Sequence, residues 1–495
     1  MTTRWDQSVL REPRTGLVLD LTDAPRWTGD SCEAALSAMA AIEGGAVANI
    51  DEQRQVGHYW LRAPELAPDP SQTAAIRDAW ARIDALDTDG FDHVLWIGIG
   101  GSALGPQLLA GCLAGPAEPT LSFLDNTDPE GFARTLGGLK PASTRVVVVS
   151  KSGGTVETRN AMLAAQAHWA RAGVRFGPCA IAITGEGSRL HLEATHAADP
   201  WRAVLPVWDW VGGRTSVTGP VGLTLMKLMG WDWKALVAGA AAADVATRSR
   251  GEDNPALALA RAWHTAGNGR GDRALVVLPY RDRLHLVGRY LQQLIMESIG
   301  KRTDRTGAVV HQGLTVYGNK GSTDQHAFVQ QVRDGRDDCF VHFVETTAQG
   351  PRIASDGGTF ADDHLLGFLL GTRAALRQAQ RPSLTLRLPD TSARSLGALI
   401  ALFERATGLY AELVGINAYD QPGVEAGKLA AKGALSALST VAQALAAEGQ
   451  TAGQLARALD LDAVLVWRLL EQLAATGRSQ VVKGKRPAED RYSTP

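Results

Sequence analysis

The chain has 495 residues, of which 45% are hydrophobic and 21% charged. At roughly 150 residues per domain, that length predicts about three domains or two large ones with appendages, and the composition excludes wholesale disorder. Lys and Arg number 50 against 52 Asp and Glu, a net charge of −2, so bulk nucleic-acid binding is not expected.

The opening MTTRWDQSVLREPRTG has no apolar run of the kind a secretory signal carries. Residues 1–87 read as a helical N-terminal segment. Asp30–Ile42 and Pro70–Leu86 have helical periodicity, with a loop at Pro64, Pro68 and Pro70. A strand-and-helix rhythm then begins. His93–Ile99, Thr120–Leu124, Arg145–Val149 and Cys179–Ile183 read as strands, with helices between them, notably to about Leu113 and over Thr155–Ala172. Uninterrupted apolar strands alternating with helices predict a parallel sheet covered on both faces. The rhythm pauses near Val211–Gly230 and restarts. Ala274–Leu278, Leu314–Tyr317 and Phe340–Val344 read as strands, Asp282–Ser298 as a long helix and Thr323–Val332 as another. The expected fold is α/β, with two tandem doubly wound parallel-sheet domains at 88–235 and 236–435. Residues 436–495 read as a small winged-helix-like module. Thr451–Leu459 and Asp462–Ala475 supply two helices, and SQVV and RYS a hairpin. Its second helix offers only Arg468 as a cation, so it is not expected to read DNA.

Cys32, Cys112, Cys179 and Cys339 stand alone, with no CxxC pair and no Cys/His spacing suited to zinc. Neither a disulfide framework nor a metal site is expected. A reducing cytoplasm fits this cysteine usage, and no window reaches the ~18 apolar residues of a membrane span.

In VLWIGIGGSALGP (94–106), a buried strand runs into Gly98, Gly100, Gly101 and Ser102 ahead of a helix. Such a turn presents free N–H groups and a positive dipole end to an anion. Gly98-x-Gly100-x-x-Ala103, with Asp125 ending the next strand, also matches a dinucleotide fingerprint, so this motif alone fits both a phosphate cradle and an NAD site. Ser150-Lys151-Ser152-Gly153-Gly154-Thr155 decides for the cradle. Three hydroxyls and helix N–H donors can saturate a phosphate monoester, and a dinucleotide fold needs no second cradle. Gly212-Gly213-Arg214 presents a permanent cation suited to a developing oxyanion. Glu297 lies in the last turn of its expected helix, before Gly300. The dipole there disfavours a carboxylate's charge and suits a general base, whereas Lys301 and Arg302 would oppose this if they point inward. His326 falls in the first turn of an expected helix, where the dipole favours a neutral imidazole. Pro422 fits a helix start, with Lys428 about two turns in.

IGGSALGP, SKSGGTVET, VGGRTS, QQLIMESIGK, GSTDQHAF and QPGVEAGK resemble, in that order, the signatures of the glucose-6-phosphate isomerase (phosphoglucose isomerase) family, from about residue 90 to 432. The resemblance implies that the two α/β domains are sugar-isomerase (SIS) domains. It implies phosphate binding by Gly101, Ser102, Ser150, Ser152 and Thr155, with Lys151 beside them. It further implies proton transfer between C1 and C2 by Glu297, and enediolate stabilisation by Arg214. Ring opening would fall to His326 and Lys428, and hydroxyl binding to Gln293 and Gln421. No cofactor and no metal are implied. The family's motif histidine reaches the site from a neighbouring subunit, so a homodimer is implied, acting on a small sugar phosphate. Three positions depart from the family pattern: Ile299 for Asn, Thr215 for an aromatic and Pro422 for Trp. They bear on the choice between glucose and mannose phosphates. Beside the isomerase stand a dual phosphoglucose/phosphomannose isomerase, a non-catalytic sugar-phosphate-sensing regulator and an NAD enzyme. The combination of Glu297, Arg214, His326 and Lys428 speaks against a sensor, which needs only the phosphate loops.

Overall fold

The computed structural model describes residues 8–116, 119–348 and 350–495; the side chains of Val424, Glu425, Ala426 and Lys428 are outside the described set. The chain divides into two units, 1–420 and 421–495.

In the first unit, a five-stranded sheet is parallel throughout, in the order Thr120–Leu124, His93–Ile97, Thr144–Ser150, Ala180–Thr184, Ala203–Pro206. Alternate residues of each strand enter different cores. Val94, Trp96, Val147 and Val149 pack on one side, and Leu95, Ile97, Val146 and Val148 on the other. This is why these strands are apolar without interruption. Burying such side chains contributes about 1.5–3 kcal/mol each. Helices Gly101–Leu113 and Val156–Arg171 follow the first and third strands in sequence.

The second sheet has six strands. Val316–Tyr317, Ala274–Pro279, Cys339–Thr346 and Ser383–Leu388 are parallel neighbours. Its far edge differs from the expected parallel pattern. Val18–Asp20 pairs antiparallel with Ser383–Leu388, and Val9–Arg11 pairs antiparallel with Val18–Asp20. Residues 1–87, expected as helical, therefore also supply two strands to this sheet, and Val47–Asn49 pairs with Arg54–Gln55 apart from it. The helices in this stretch are Glu33–Glu43 and Pro70–Asp84. A buried ionic network fastens this stretch inward. Arg62 pairs with Glu404 and, at 3.4 Å, with Asp244; Arg405 reaches Glu43 at 3.1 Å and Asp244 at 3.4 Å.

The expected long helix Asp282–Ser298 is three pieces: a 3₁₀ turn Asp282–Leu284, an α-helix Val287–Leu291 and a π-helical turn Gln292–Glu297. The expected helix Thr323–Val332 is also broken, into a 3₁₀ turn Thr323–His326 and a helix Val329–Asp334.

The second unit begins with helix Pro422–Ala444, so the expected boundary at 435/436 falls inside a helix. Helices Ala452–Leu459 and Ala463–Ala475 follow. Gln480–Val482 and Arg491–Ser493 form the expected hairpin, with Gln450–Thr451 on its other edge. Thr451 caps the first helix through a reciprocal pair with Gln454, and the Asp462 carboxylate caps the second at the N–H of Leu465. Leu455, Val466, Leu470, Leu473 and Tyr492 make its core.

Candidate active site

From His93–Ile97 the chain adds Thr120–Leu124 on one side and Thr144–Ser150 on the other. The crevice between His93–Ile97 and Thr144–Ser150 is the topological switch point, where open parallel sheets bind ligands. Both Gly/Ser-rich loops leave the C-terminal ends of these two strands and lead into helix N-termini. In the first loop, the Trp96 indole N–H donates to the Ser102 carbonyl at 2.7 Å. In the second, the Ser150 hydroxyl donates to Thr155 Oγ1 at 3.3 Å, and Ser152 Oγ accepts the Gly154 N–H at 3.2 Å. Lys151 turns away toward 209–211. Its ammonium donates to the Asp209 carbonyl at 2.9 Å and the Val211 carbonyl at 3.4 Å. It thereby shapes the approach to Gly212-Gly213-Arg214. Burial, then the neighbouring Arg54, lowers the Lys151 pKa.

The loop carrying Arg214 presses on the first of these two loops. A Cβ on Gly101 would stand 2.1 Å from the Gly213 carbonyl oxygen, so only glycine permits this approach. Gln293 closes on the same loop from the π-helical turn: a Cβ on Gly100 would lie 3.1 Å from its Nε2.

Arg214 sits in the 3₁₀ turn Gly213–Thr215, is 9% exposed, and faces Glu297 Oε2 from Nη1 at 3.6 Å. Its Nη2 donates to the carbonyls of Ala418 at 2.5 Å and Asp420 at 3.2 Å. Burial lowers the guanidinium pKa, against the raising effects of Glu297 and Asp420. Glu297 is the last residue of the π-helical turn, a form concentrated at functional sites. The Lys301 ammonium does point inward, to the Glu297 carbonyl oxygen at 3.0 Å.

Of the departures, Ile299 is fully buried in the main core, and the buried Thr215 donates its hydroxyl to the Gly212 carbonyl. His326 closes its 3₁₀ turn, so it is not in the first turn of an α-helix as expected, and its side chain is exposed. The loop before it is held by the buried Asp324 carboxylate, which accepts the N–H groups of Asn319 and Lys320. Among the described residues, His326 has no hydrogen bond or ion pair to Arg214 or Glu297. Gln421 occupies the N-cap position of helix Pro422–Ala444, and the Lys428 side chain lies outside the described residues. Sequence reasoning missed Arg54 and Asp420. Arg54 acts electrostatically on both Lys151 and Arg214, yet it lies in a two-residue strand with no motif signal. Asp420 accepts from Arg214 through its carbonyl, a group every residue has, and its carboxylate acts electrostatically on the same guanidinium.

The sequence profile described as Phosphoglucose isomerase matches residues 33–358 and 370–455. This chain belongs to the phosphoglucose isomerase family. It is 48% identical to a glucose-6-phosphate isomerase of Geobacter sulfurreducens over 97% of this chain and 96% of that protein. A glucose-6-phosphate isomerase of Synechococcus sp. (strain JA-3-3Ab) is 50% identical over 92% of this chain and 90% of its own length. Among solved structures, the glucose-6-phosphate isomerase of Chlamydia trachomatis D/UW-3/Cx superposes with a TM-score of 0.79 at 25% identity, covering 89% of this chain and 92% of that one. The two α/β sheets of this phosphoglucose isomerase family member are thus the family's own architecture.

Proposed function

We propose that the chain is an aldose–ketose isomerase that interconverts D-glucose 6-phosphate and D-fructose 6-phosphate in glycolysis and gluconeogenesis, as a cytoplasmic homodimer. The observation that carries this reading is the Arg214–Glu297 pair at 3.6 Å, in a unit whose switch point presents two hydroxyl-rich loops on adjacent strands. Gly101, Ser102, Ser150, Ser152 and Thr155 hold the phosphate, and Lys151 sets the loop behind them. Remote phosphate binding fixes the reacting carbons against the base. Imidazole and ammonium groups of His326 and Lys428 open the ring, and Gln293 and Gln421 hold hydroxyls. Glu297 takes the proton from C2 and returns it at C1. The oxygens of the resulting cis-enediolate face Arg214, whose buried guanidinium stabilises the developing charge. Residues 88–235 then form the phosphate-binding half and the rest of the first unit the half that supplies Glu297 and His326, with Lys428 from the helix that opens the second.

Isomerisation of fructose 6-phosphate by wild type and Glu297→Gln tests the reading. Wild type should turn over, and kcat of the variant should fall by a factor of roughly 10²–10⁴, the usual contribution of a positioned base. A wild-type protein that binds the sugar phosphate without converting it would leave a sensor instead.

A further inference from the structure

We propose that Lys301 is a positioning residue for this reaction: it ties the end of the helical segment that carries Glu297 to the 418–420 loop that holds Arg214. The inference rests on the isomerase reading above. Lys301 is a strand residue four places after Glu297, with a side chain only 5% exposed. Its ammonium donates to the Glu297 carbonyl at 3.0 Å and the Asp420 carbonyl at 3.0 Å, and forms an ion pair with Asp420 Oδ1 at 3.3 Å. The Glu297 carbonyl is in the last turn of its helix, where backbone acceptors lose their intrahelical partners; Lys301 fills that vacancy as a lysine at a helix C-terminus can.

The second anchor is shared. The Asp420 carbonyl that accepts from Lys301 also accepts from Arg214 Nη2, and Arg214 Nη1 faces the Glu297 carboxylate. Main chain of Glu297, Lys301, the carbonyl of Asp420, Arg214 and the carboxylate of Glu297 thus form a closed ring of contacts. Moving either end of the Glu297 residue strains the ring, which fixes the carboxylate relative to the guanidinium before substrate arrives. A π-helical turn has a wider bore and fewer good hydrogen bonds than an α-helix, so this end of the segment needs an outside anchor. Burying an ammonium is costly without such partners, and burial followed by Arg214 does lower the Lys301 pKa. Three oxygens placed around one buried ammonium are a built arrangement.

Three variants test this by kcat, KM and the dissociation constant of D-glucitol 6-phosphate. That open-chain hexitol phosphate keeps the phosphate and hydroxyls but has no carbonyl to enolise. If wild type is inert with fructose 6-phosphate, the isomerase reading itself fails; the comparisons below presuppose an active wild type. Lys301→Met should lower kcat about a hundredfold, the scale of a misplacement near 1 Å, while KM and hexitol-phosphate affinity stay within about threefold. Lys301→Arg, which keeps charge and donors, should regain at least about a tenth of the wild-type kcat. Full kcat in Lys301→Met, or loss of hexitol-phosphate binding together with kcat, overturns the proposal. Should Lys301→Met not fold, Lys301→Gln decides: its shorter, neutral amide cannot bridge the Glu297 and Asp420 carbonyls together, so a kcat loss of at least about tenfold with unchanged analogue affinity supports the brace, and wild-type kcat overturns it.

Discussion

His342 lies on the strand Cys339–Thr346, with its ring 5.4 Å from that of Phe403 and 6.4 Å from that of Trp263. It is fully buried, and neither ring nitrogen has a partner among the described residues. Burial pushes its pKa down to about 3. The folded chain therefore keeps this imidazole neutral at pH values where the unfolded chain, with an ordinary value near 6.5, takes a proton. Between about pH 6.5 and pH 3 the unfolded state binds more protons, so stability falls as pH falls through that window. His58, also buried, is depressed in the same direction by burial and then by Arg62 and Arg405. His342→Leu should remove the His342 share. Going from pH 7 to pH 5, wild type should lose about 2 kcal/mol more than the variant. Urea midpoints at both pH values measure this difference, and equal losses would contradict it. At pH 7 the variant should be no less stable, since it deletes unsatisfied buried polar atoms.

At the scale of elements, the sheet strands were the most legible. Thr120–Leu124 matches residue for residue, and the strands of the first sheet that were read deviate by one or two residues at their ends. Their apolar runs are long because both faces are buried, and this makes them conspicuous. The N-terminal hairpin escaped because its strands have three residues each, too short for any period to show. The segment 282–298 read as one helix because its apolar stripe persists through 3₁₀, α and π turns alike; hydrophobic spacing reports the buried face and not the hydrogen-bond ladder. Glu297 and Arg214 were legible through motif order. Asp420, which joins them through its carbonyl, was not, because its side chain does not define that contact. Glycine positions carry more information than their neighbours here. Gly101→Ala should lower kcat/KM at least about a hundredfold, because the Cβ must push the Arg214 loop off the first Gly/Ser-rich loop. Gly137→Ala, at a helix position with open space around the missing Cβ, should leave kcat/KM unchanged. Wild-type kinetics in Gly101→Ala would mean the two loops separate freely.

For the molecule as a whole, the proposed homodimer makes a quantitative demand. If His326 serves the partner's Glu297, chains bearing Glu297→Gln and chains bearing His326→Ala are each inactive alone. After unfolding, mixing one to one and refolding, half of the dimers pair one of each, and one of their two sites is intact. About a quarter of wild-type activity should return. If both residues of a site come from one chain, none should. The buried ionic network bears on the same experiment. Removing one partner, as in Glu404→Ala, leaves Arg62 with Asp244 as its only carboxylate among the described residues and should destabilise the fold, read as a lowered denaturation midpoint.

The antiparallel edge of the second sheet also sets a timetable. Leu19 pairs with Leu386, so a strand made among the first residues must wait for one made near residue 386. At about 5–20 residues per second, that interval lasts tens of seconds. The first sheet, complete by Pro206, can assemble on the ribosome long before. The half carrying Glu297 closes only when nearly all of the first unit has emerged. A nascent chain thus holds both hydroxyl-rich loops well before it holds Glu297, and Leu19 waits that long for its sheet partner Leu386.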